Sequence, residues 1–345
     1  MIPGALRGLG AARNARAAQA WATPLRIANR WVRAFRWPCA IPPGALLRPK
    51  MTLLKFVHRL VSIGLILLVV QAAHAQDKNF HIFLCIGQSN MEGFPGIPEE
   101  DRTGIDSRFQ LLAAVDFAVG GRYTGPERKA GTWYTATPPL CRPGTGLSPA
   151  DYFGRTLVAA LPASHRVGVI NVAVAGAKIE IFDPANYLAY LESTPPNDFK
   201  RNIARTYGGN PYQHLINLAK EAQKVGVISG ILLHQGESNN NDAEWPRKVK
   251  AIYESILKDL DLKATDVPLL AGELVNADQN GATASMNQII AELPKTIPTA
   301  HVVSSAGCLA RPDRLHFTPE GYRELGRRFG ATVLPLLGYK PAVAK

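Results

Sequence analysis

The segment HIFLCIGQSNMEGF, residues 81–94, decides how the rest of the chain is interpreted. An apolar run ends at Gly87, and small or polar residues follow it before Met91 and a second glycine. The run has the composition of a strand that is buried on both faces. The abrupt change at its end is typical either of a turn or of a nucleophile, Ser89, held at the tip of a strand.

The net charge of the chain is concentrated at its N-terminus. The 345 residues carry a formal net charge of +12, which taken alone suggests a nucleic-acid or membrane partner. Residues 1–75 contain 11 of the 39 basic residues and none of the 27 acidic ones. Residues 76–345 therefore contain 28 basic and 27 acidic residues, and this balance argues against a nucleic-acid partner for the main part of the chain.

Residues 51–75 have the three parts of a secretory signal peptide. Lys55 and Arg59 form a positive region, an apolar run follows, and Ala73-His74-Ala75 fits the small-x-small cleavage rule. The apolar run is too short for a transmembrane helix. We therefore expect cleavage after Ala75, export to the periplasm or the medium, and no stable membrane anchor afterwards. We interpret residues 1–50 as a start-site artefact or a disordered basic extension.

Residues 76–345 have the length of one large α/β domain. Apolar runs predict strands at 80–86, 167–174, 227–233, 267–270 and 301–304. Amphipathic segments and capping residues predict helices at 148–161, 212–224, 242–260, 282–293 and 318–337. This alternation predicts a mainly parallel sheet with right-handed crossovers. The segments 120–146 and 183–210 are predicted to be long loops that shape a pocket.

Three cysteines remain after the predicted cleavage site. Cys85 lies in the first apolar run and is predicted to be a buried thiol. Cys141 and Cys308 lie in loop-like segments, and their spacing leaves open whether they form a disulfide. The chain has no zinc-type cysteine spacing, and the segment around His234 has no second histidine three to five residues away. We expect neither a metal nor an organic cofactor.

Four short polar segments are predicted to meet at one edge of the sheet. Each follows an apolar run or directly precedes a helix, and the carboxyl ends of parallel strands share an edge. The segments are residues 87–90, 175–177, 234–237 and 313–316.

Together these segments contain the groups that acyl transfer requires. Ser89 supplies a hydroxyl and a backbone N–H, and Asp313 and His316 can supply an oriented base. A tetrahedral oxyanion needs hydrogen-bond donors, which Gly176 can offer through its backbone and Gln235 through its side-chain amide. Taken singly, each segment has a plainer interpretation as a turn, a helix cap or a strand exit.

Three further polar residues stand beside these groups. Gln88 and Asn90 flank the serine, and we predict that both support the site. Glu237 follows Gln235 by two residues, and we predict that it braces the neighbouring loops by hydrogen bonds. A direct catalytic role for Glu237 is the less favoured alternative.

The four segments resemble blocks of a known superfamily. IGQSNMEG (86–93), NVAVAGAKI (171–179), LLHQGESN (232–239) and DRLHFTPEGY (313–322) are similar to the SGNH hydrolases, in the branch of sialate O-acetylesterases and carbohydrate esterase family six. The resemblance covers residues 80–335. It implies a flavodoxin-like three-layer α/β sandwich with a mainly parallel sheet of about five strands. It also implies removal of acetyl groups from carbohydrate hydroxyls.

The resemblance also implies roles for the site residues. Ser89 would be the nucleophile, His316 the base and Asp313 the residue that orients it. The backbone N–H groups of Ser89 and Gly176, with the Gln235 side chain, would form the oxyanion hole. The expected substrate is acetylated xylan or a sialic acid-like glycan. Two alternatives are a carbohydrate-binding protein of the same fold without catalysis and another serine hydrolase such as a lipase or peptidase.

Overall fold

The computed structural model describes residues 76–340 apart from Pro95 and Arg122. The predicted signal peptide at 51–75 and the extension at 1–50 lie outside the described residues and stay predictions. The strands are β1 (Asp77–Gly87), β2 (Phe109–Leu112), β3 (Trp133–Thr135), β4 (Arg166–Ala173), β5 (Gly226–His234), β6 (Leu269–Gly272) and β7 (Ala300–Val303). The helices are α1 (Ser89–Glu92), α2 (Pro149–Ala160), α3 (Tyr187–Glu192), α4 (Phe199–Thr206), α5 (Pro211–Ala222), α6 (Trp245–Asp259), α7 (Met286–Ile290), α8 (Leu293–Thr296) and α9 (Pro319–Leu336).

The strands form one sheet in the order β3-β2-β4-β1-β5-β6-β7, in which only β3 is antiparallel to its neighbour. The five predicted strands are therefore contiguous, with the first strand between the second and third, as in flavodoxin-like sheets. The predicted number of about five strands was wrong. The two additional strands, β2 and β3, have four and three residues and extend the β4 edge. Runs this short give no clear strand signal in a sequence.

The pairing of β1 aligns the ends of the three central strands. Gly87, the last residue of β1, lies opposite Ala173 of β4 and opposite His234 of β5. The segments that follow these strands therefore leave the sheet at the same level. In open α/β sheets, ligand sites lie outside such carboxyl ends, where the strand order reverses.

Successive residues of β1 point into two separate cores. Ile82, Leu84 and Ile86 belong to the core that α5 and α6 cover. Phe83 and Cys85 belong to the core on the opposite face, which α2 and α9 cover. The sheet is thus buried on both faces between two helical layers, which explains why β1 is apolar throughout.

Several helices begin at the capping residues that the sequence indicates. Ser148 forms a capping box with Asp151 at the start of α2, and its N–H donates to the Asp151 carboxylate at 2.8 Å. The Thr318 hydroxyl accepts the N–H of Gly321 at the start of α9, at 3.2 Å. Proline occupies the first position of both helices, where its missing N–H costs nothing.

Two predicted loops and one predicted helix differ from the structure. The segment 120–146 is not a loop throughout, because it contains β3. The segment 183–210 contains the short helices α3 and α4, and the carboxylate of Asp198 caps α4 by accepting the N–H of Lys200 at 2.8 Å. The predicted helix at 282–293 is divided into α7 and α8. The strand β3 and these helices are too short for the apolar periodicity of their element to appear clearly.

The three cysteines of the described residues are free and buried. Cys141 lies 3.2 Å from the hydroxyl of Tyr207, and Cys308 packs in the core beneath α9. The disulfide that the sequence left open is not formed. Within residues 76–340, apart from the two undescribed positions, no helix has both the length and the apolarity needed to cross a membrane.

We expect Gly154→Ala to destabilise the fold, because a β-carbon at this position of α2 would collide with the ring of Phe109 in β2. Overpacking of this kind costs about 1–3 kcal/mol of unfolding free energy, which exceeds the helix propensity that alanine adds. Urea unfolding would measure the change. The control is Lys220→Ala on the exposed face of α5, which should stay within about 0.5 kcal/mol of the parent. An unchanged midpoint for Gly154→Ala would contradict this close packing.

Candidate active site

The nucleophile candidate stands on a sharp exit from the central strand. Gly87 has φ +155°, and a β-carbon there would collide with the carbonyl oxygen of His234 in β5. Only glycine permits this approach of two strands. The chain then turns directly into α1, whose first residue is Ser89. The serine is largely buried but borders a cavity.

Ser89, His316 and Asp313 form a continuous hydrogen-bonded chain. The Oγ of Ser89 lies 2.9 Å from Nε2 of His316, and Nδ1 of His316 lies 2.8 Å from Oδ2 of Asp313. An ionised carboxylate can only accept, so Nδ1 carries the proton and Nε2 is free to accept the serine proton. The arrangement has the geometry of a nucleophile, a base and a residue that orients the base.

The turn at residues 313–316 holds Asp313 in its ionised form. Its Oδ1 accepts the N–H groups of Leu315 and His316 at 2.9 and 3.0 Å. Arg314 completes the turn in the left-handed region, with φ +59°. Burial raises the pKa of Asp313, but these N–H groups and the imidazole outweigh it, and the pKa lies below its ordinary value. The carboxylate is therefore charged at neutral pH, as the stabilisation of an imidazolium requires.

Phe94 is a site residue that the sequence analysis did not identify. Its ring stacks on the imidazole of His316, with centroids 3.8 Å apart and planes inclined by 14°. It belongs to the segment after α1 and is partly exposed. The contact restricts rotation of the imidazole. No spacing or motif distinguishes this phenylalanine, because the stacking depends on two loops far apart in sequence.

Two backbone N–H groups border the same cavity as Ser89. Gly176, which follows β4, has φ +66°, and the preceding N–H of Ala175 donates to the carboxylate of Glu92 at 2.7 Å. The N–H groups of Ser89 and Gly176 have no acceptor among the described residues. Both residues line the cavity. Both N–H groups are therefore available to a ligand, and their role as oxyanion donors stays a prediction.

The side chain of Gln235 is enclosed rather than open to the cavity. It is 1% exposed, and its NH₂ group faces the oxygens of Gln88, Ala177 and Asn239 at 3.2, 3.3 and 2.7 Å. The indole of Trp245 donates to its oxygen. Gln235 is absent from the cavity lining. The position of Gln235 therefore disagrees with the prediction that its side chain donates directly to an oxyanion.

Gln88 occupies the place expected for Gln235. It lines the cavity, and its side-chain oxygen accepts the Gln235 amide at 3.2 Å and the N–H of Ser238 at 3.3 Å. Its NH₂ group has no acceptor among the described residues, so it can donate to a ligand. The hydrogen bond from Gln235 thus fixes the orientation of the Gln88 amide.

Asn90 and Glu237 form a network behind the serine. The Asn90 amide donates to Glu237 at 2.6 Å and to the carbonyl of Leu315 at 2.9 Å, and it accepts the hydroxyl of Tyr322 at 2.7 Å. The network joins α1 to the histidine turn and to α9. It therefore connects the segment of Ser89 to the turn of His316, while the supporting roles of Asn90 and Glu237 stay predictions.

Glu237 itself makes no hydrogen bond to His316. Burial raises its pKa to about 7, because the hydrogen bond from Asn90 and the nearby backbone N–H groups only partly offset desolvation. Its second oxygen has no partner.

Within the described part of the chain, no group of three or more His, Cys, Asp or Glu side chains could hold a metal ion.

A cavity of about 350 Å³, here called the serine pocket, opens beside Ser89 and Gly176. Its remaining wall is mostly apolar. Phe94 lies over His316, and Phe199, the first residue of α4, lies over Gly176. The pocket thus combines the polar groups of Gln88, Ser89 and Gly176 with two aromatic rings, a lining typical of ligand sites.

Comparison with known proteins identifies the family. Residues 79–335 match the model of a family described as "Carbohydrate esterase, sialic acid-specific acetylesterase". The chain belongs to this carbohydrate esterase family. It is therefore a hydrolase of the carbohydrate acetylesterase group, as the sequence predicts.

Solved structures have the same fold at low sequence identity. A protein of Arabidopsis thaliana is 19% identical with a TM-score of 0.55, and the match covers 75% of this chain and 99% of that one. NanS is 16% identical with a TM-score of 0.55, over 76% and 99% of the two chains. A carbohydrate acetylesterase from Xanthomonas citri is 17% identical with a TM-score of 0.51, over 74% of this chain and 56% of that one.

A second and larger cavity of the esterase adjoins the serine pocket. This side groove has a volume of about 820 Å³ and shares Gly176 and Ser238 with the serine pocket. Its other lining residues are mostly polar and come from the segment after β4, from α3 and the residues beside it, and from α4 and α6. They are Lys178, Glu180, Asn186, Ala189, Tyr190, Ser193, Thr194, Lys200 and Lys248.

Most charges of the side groove are paired within the esterase. Lys248 lies 2.8 Å from Glu180 and 2.6 Å from Asp242, and Lys200 lies 2.6 Å from Asp198. Lys178 is exposed and has no ion-pair partner among the described residues. The groove thus offers neutral hydrogen-bonding groups, one aromatic ring and one free ammonium.

We expect Asp313→Asn to lower kcat for an aryl acetate about 10³- to 10⁴-fold, because an amide cannot hold Nδ1–H of His316 as a charged carboxylate does. Glu237→Gln is the matched change at the other buried carboxylate, and it should lower kcat by no more than about tenfold, since Glu237 does not contact His316. Steady-state kinetics on the folded variants would measure both. A loss for Glu237→Gln as large as that for Asp313→Asn would contradict this assignment.

Proposed function

We propose that this esterase hydrolyses acetyl esters on carbohydrate hydroxyls, with Ser89 as nucleophile, His316 as general base and Asp313 as the residue that orients His316. The observation that carries the proposal is the hydrogen-bonded chain from Ser89 Oγ through His316 to Asp313, at 2.9 and 2.8 Å. The family match supports a carbohydrate acetylesterase. The strand order and the four sequence blocks further support membership of the SGNH superfamily, in the branch of carbohydrate esterase family six.

In the first half of the proposed reaction, Ser89 Oγ attacks the acetyl carbonyl carbon while Nε2 of His316 takes the hydroxyl proton. The carbonyl oxygen becomes an oxyanion, which the N–H groups of Ser89 and Gly176 stabilise. We assign the third donor to the Gln88 side-chain amide, with Gln235 as its support. The intermediate then expels the sugar oxygen, which receives the proton from His316, and an acetyl-serine remains.

In the second half, a water molecule takes the place of the sugar. His316 removes one proton from this water as its oxygen attacks the acetyl carbon of the acyl-enzyme. The same donors stabilise the second oxyanion. Collapse of the intermediate returns the proton to Ser89 Oγ and releases acetate. Besides the substrate and this water, every group that acts in these steps belongs to the chain.

The family match supports acetyl as the acyl group that this site removes. Phe94 and Phe199 both line the serine pocket, which has a volume of about 350 Å³. A lipase needs a long apolar surface beside its nucleophile. The wall here leads instead into the polar side groove, where the sugar that carries the ester would bind. The predicted signal at 51–75 further supports action outside the cytoplasm.

The proposal predicts acetate release from acetylated xylan or acetylated sialic acid by residues 76–345, and none by the Ser89→Ala variant. Aryl acetate and aryl octanoate provide a comparison of acyl length, and the acetate should be strongly preferred. Retained activity in Ser89→Ala would refute the nucleophile. Binding of the glycan without hydrolysis of any ester would favour a carbohydrate-binding protein, and preference for octanoate would favour a lipase.

A change in the side groove should weaken binding of the sugar without changing hydrolysis of an ester that has no sugar. We expect Lys178→Met to raise KM for the acetylated glycan about 3- to 10-fold, the equivalent of one hydrogen bond of about 1 kcal/mol. KM and kcat for an aryl acetate, which has no sugar, should not change. Lys220→Met on α5 is the control for removal of a surface charge. An equal loss on both substrates would show that Lys178 does not contact the sugar.

A further inference from the structure

Helix α1 carries a buried carboxylate, Glu92, besides Ser89 and Asn90. The side chain of Glu92, its last residue, is 6% exposed, and its two oxygens have different partners. One accepts the N–H of Ala175 at 2.7 Å, and the other accepts Nη2 of Arg142 at 2.6 Å. Neither Glu92 nor Arg142 lines the serine pocket. The proposed reaction gives these two charges no role.

The N–H that Glu92 binds belongs to the residue before Gly176. Gly176 adopts a left-handed conformation in a turn that the N–H of Ala177 closes by donating to the carbonyl of Val174 at 3.2 Å. A hydrogen bond to a carboxylate is shorter and stronger than one to a neutral acceptor. Glu92 therefore anchors the peptide group on which the direction of the Gly176 N–H depends.

A second contact joins the same two elements. The amide of Asn171, a buried residue of β4, donates to the carbonyl of Met91 in α1 at 2.9 Å. The helix that carries Ser89 and the segment that carries Gly176 are thus connected at two points. These contacts set the separation of the Ser89 and Gly176 N–H groups. Oxyanion donors act only when they lie about 2.7–3.1 Å from the forming charge.

We propose that Glu92 is a positioning residue for the oxyanion hole, and that Arg142 neutralises its charge there. The inference rests on the proposed function, because it assigns the Ser89 and Gly176 N–H groups to an oxyanion. Glu92 acts through Ala175 and Gly176 and does not touch the substrate.

Arg142 is needed because an unpaired carboxylate would oppose the reaction. A second negative charge near a forming oxyanion raises its energy, since like charges destabilise one another. The guanidinium stays charged at all working pH values and binds the carboxylate directly. The pair therefore keeps a strong acceptor for Ala175 without adding a net charge to the site.

The test compares Glu92→Leu with Glu92→Gln, which keeps an oxygen that can accept the Ala175 N–H. Glu92→Leu should lower kcat for an aryl acetate about 10²-fold, as loss of one oxyanion donor does. KM should change by less than about threefold, because the interaction belongs to the transition state. Glu92→Gln should recover kcat to within about tenfold of the wild type. Equal losses in both variants would overturn the proposal.

Asp101→Leu is the matched control. The Asp101 carboxylate is also buried and paired with an arginine, Arg323, at 2.8 Å, but it contacts α2 and α9 rather than α1. This variant should lose stability while kcat per folded molecule stays unchanged. If Asp101→Leu lowered kcat as much as Glu92→Leu, the effect would be a general consequence of losing a buried ion pair, and the positioning role would be refuted.

Amide hydrogen exchange provides a readout that does not require turnover. The Ala175 N–H should exchange faster in Glu92→Leu than in the wild type and should be unaffected in Asp101→Leu. Unchanged exchange would overturn the anchoring role even in an active enzyme. If the wild type hydrolysed no ester, the proposed function would fail, while the exchange rates would still decide whether Glu92 anchors this segment.

A double variant keeps the test decisive if Glu92→Leu does not fold. Glu92→Met with Arg142→Met replaces the buried ion pair by apolar groups, a change that proteins often tolerate. It also removes the acceptor for Ala175. The double variant should therefore fold, exchange the Ala175 amide faster and show the same loss of kcat as expected for Glu92→Leu. Wild-type kcat in this variant would overturn the proposal.

Discussion

The register of β1 between β4 and β5 is the constraint on which the active site depends. Gly87 lies level with Ala173 and His234, and the missing side chain at Gly87 lets the β5 backbone approach closely. A slip of one residue would turn every side chain of β1 to the opposite face, so that each core would receive side chains that do not fit its packing. The two hydrophobic cores therefore fix the height at which Ser89 and Gly176 emerge. The geometry of the site is a consequence of how the sheet packs.

Much of this arrangement could be predicted from the sequence because it depends on strong local patterns. Long apolar runs indicate the central strands, and serine or threonine before proline indicates the starts of α2 and α9. The strands β2 and β3 and the helices α3 and α4 escaped prediction because they are short and depend on tertiary contacts. The helices α3 and α4 line the cavities of the site, so the shape of the pocket could not be predicted.

Within the site, the types of residue were easier to predict than the contacts that each side chain makes. An amide donor near Gly176 was expected from Gln235, but Trp245, Asn239 and Gln88 enclose that side chain. The choice between two glutamines depends on which one is buried, and burial is a property of the folded chain. The same holds for Phe94, whose stacking on the imidazole joins loops more than 200 residues apart. Sequence spacing contains no information about such contacts.

Three carboxylates lie around the serine, and their surroundings give them different charges. Asp313 accepts two N–H groups and an imidazole, so it stays ionised where an imidazolium would form. Glu92 is compensated by Arg142. Glu237 is buried without a cationic partner, and burial raises its pKa to about 7, so its neutral form is far more populated than that of an exposed glutamate. In the proposed mechanism a free anion beside the forming oxyanion would slow the reaction. Asp313 is the carboxylate whose pKa lies below its ordinary value, and the imidazole separates its charge from the acetyl group.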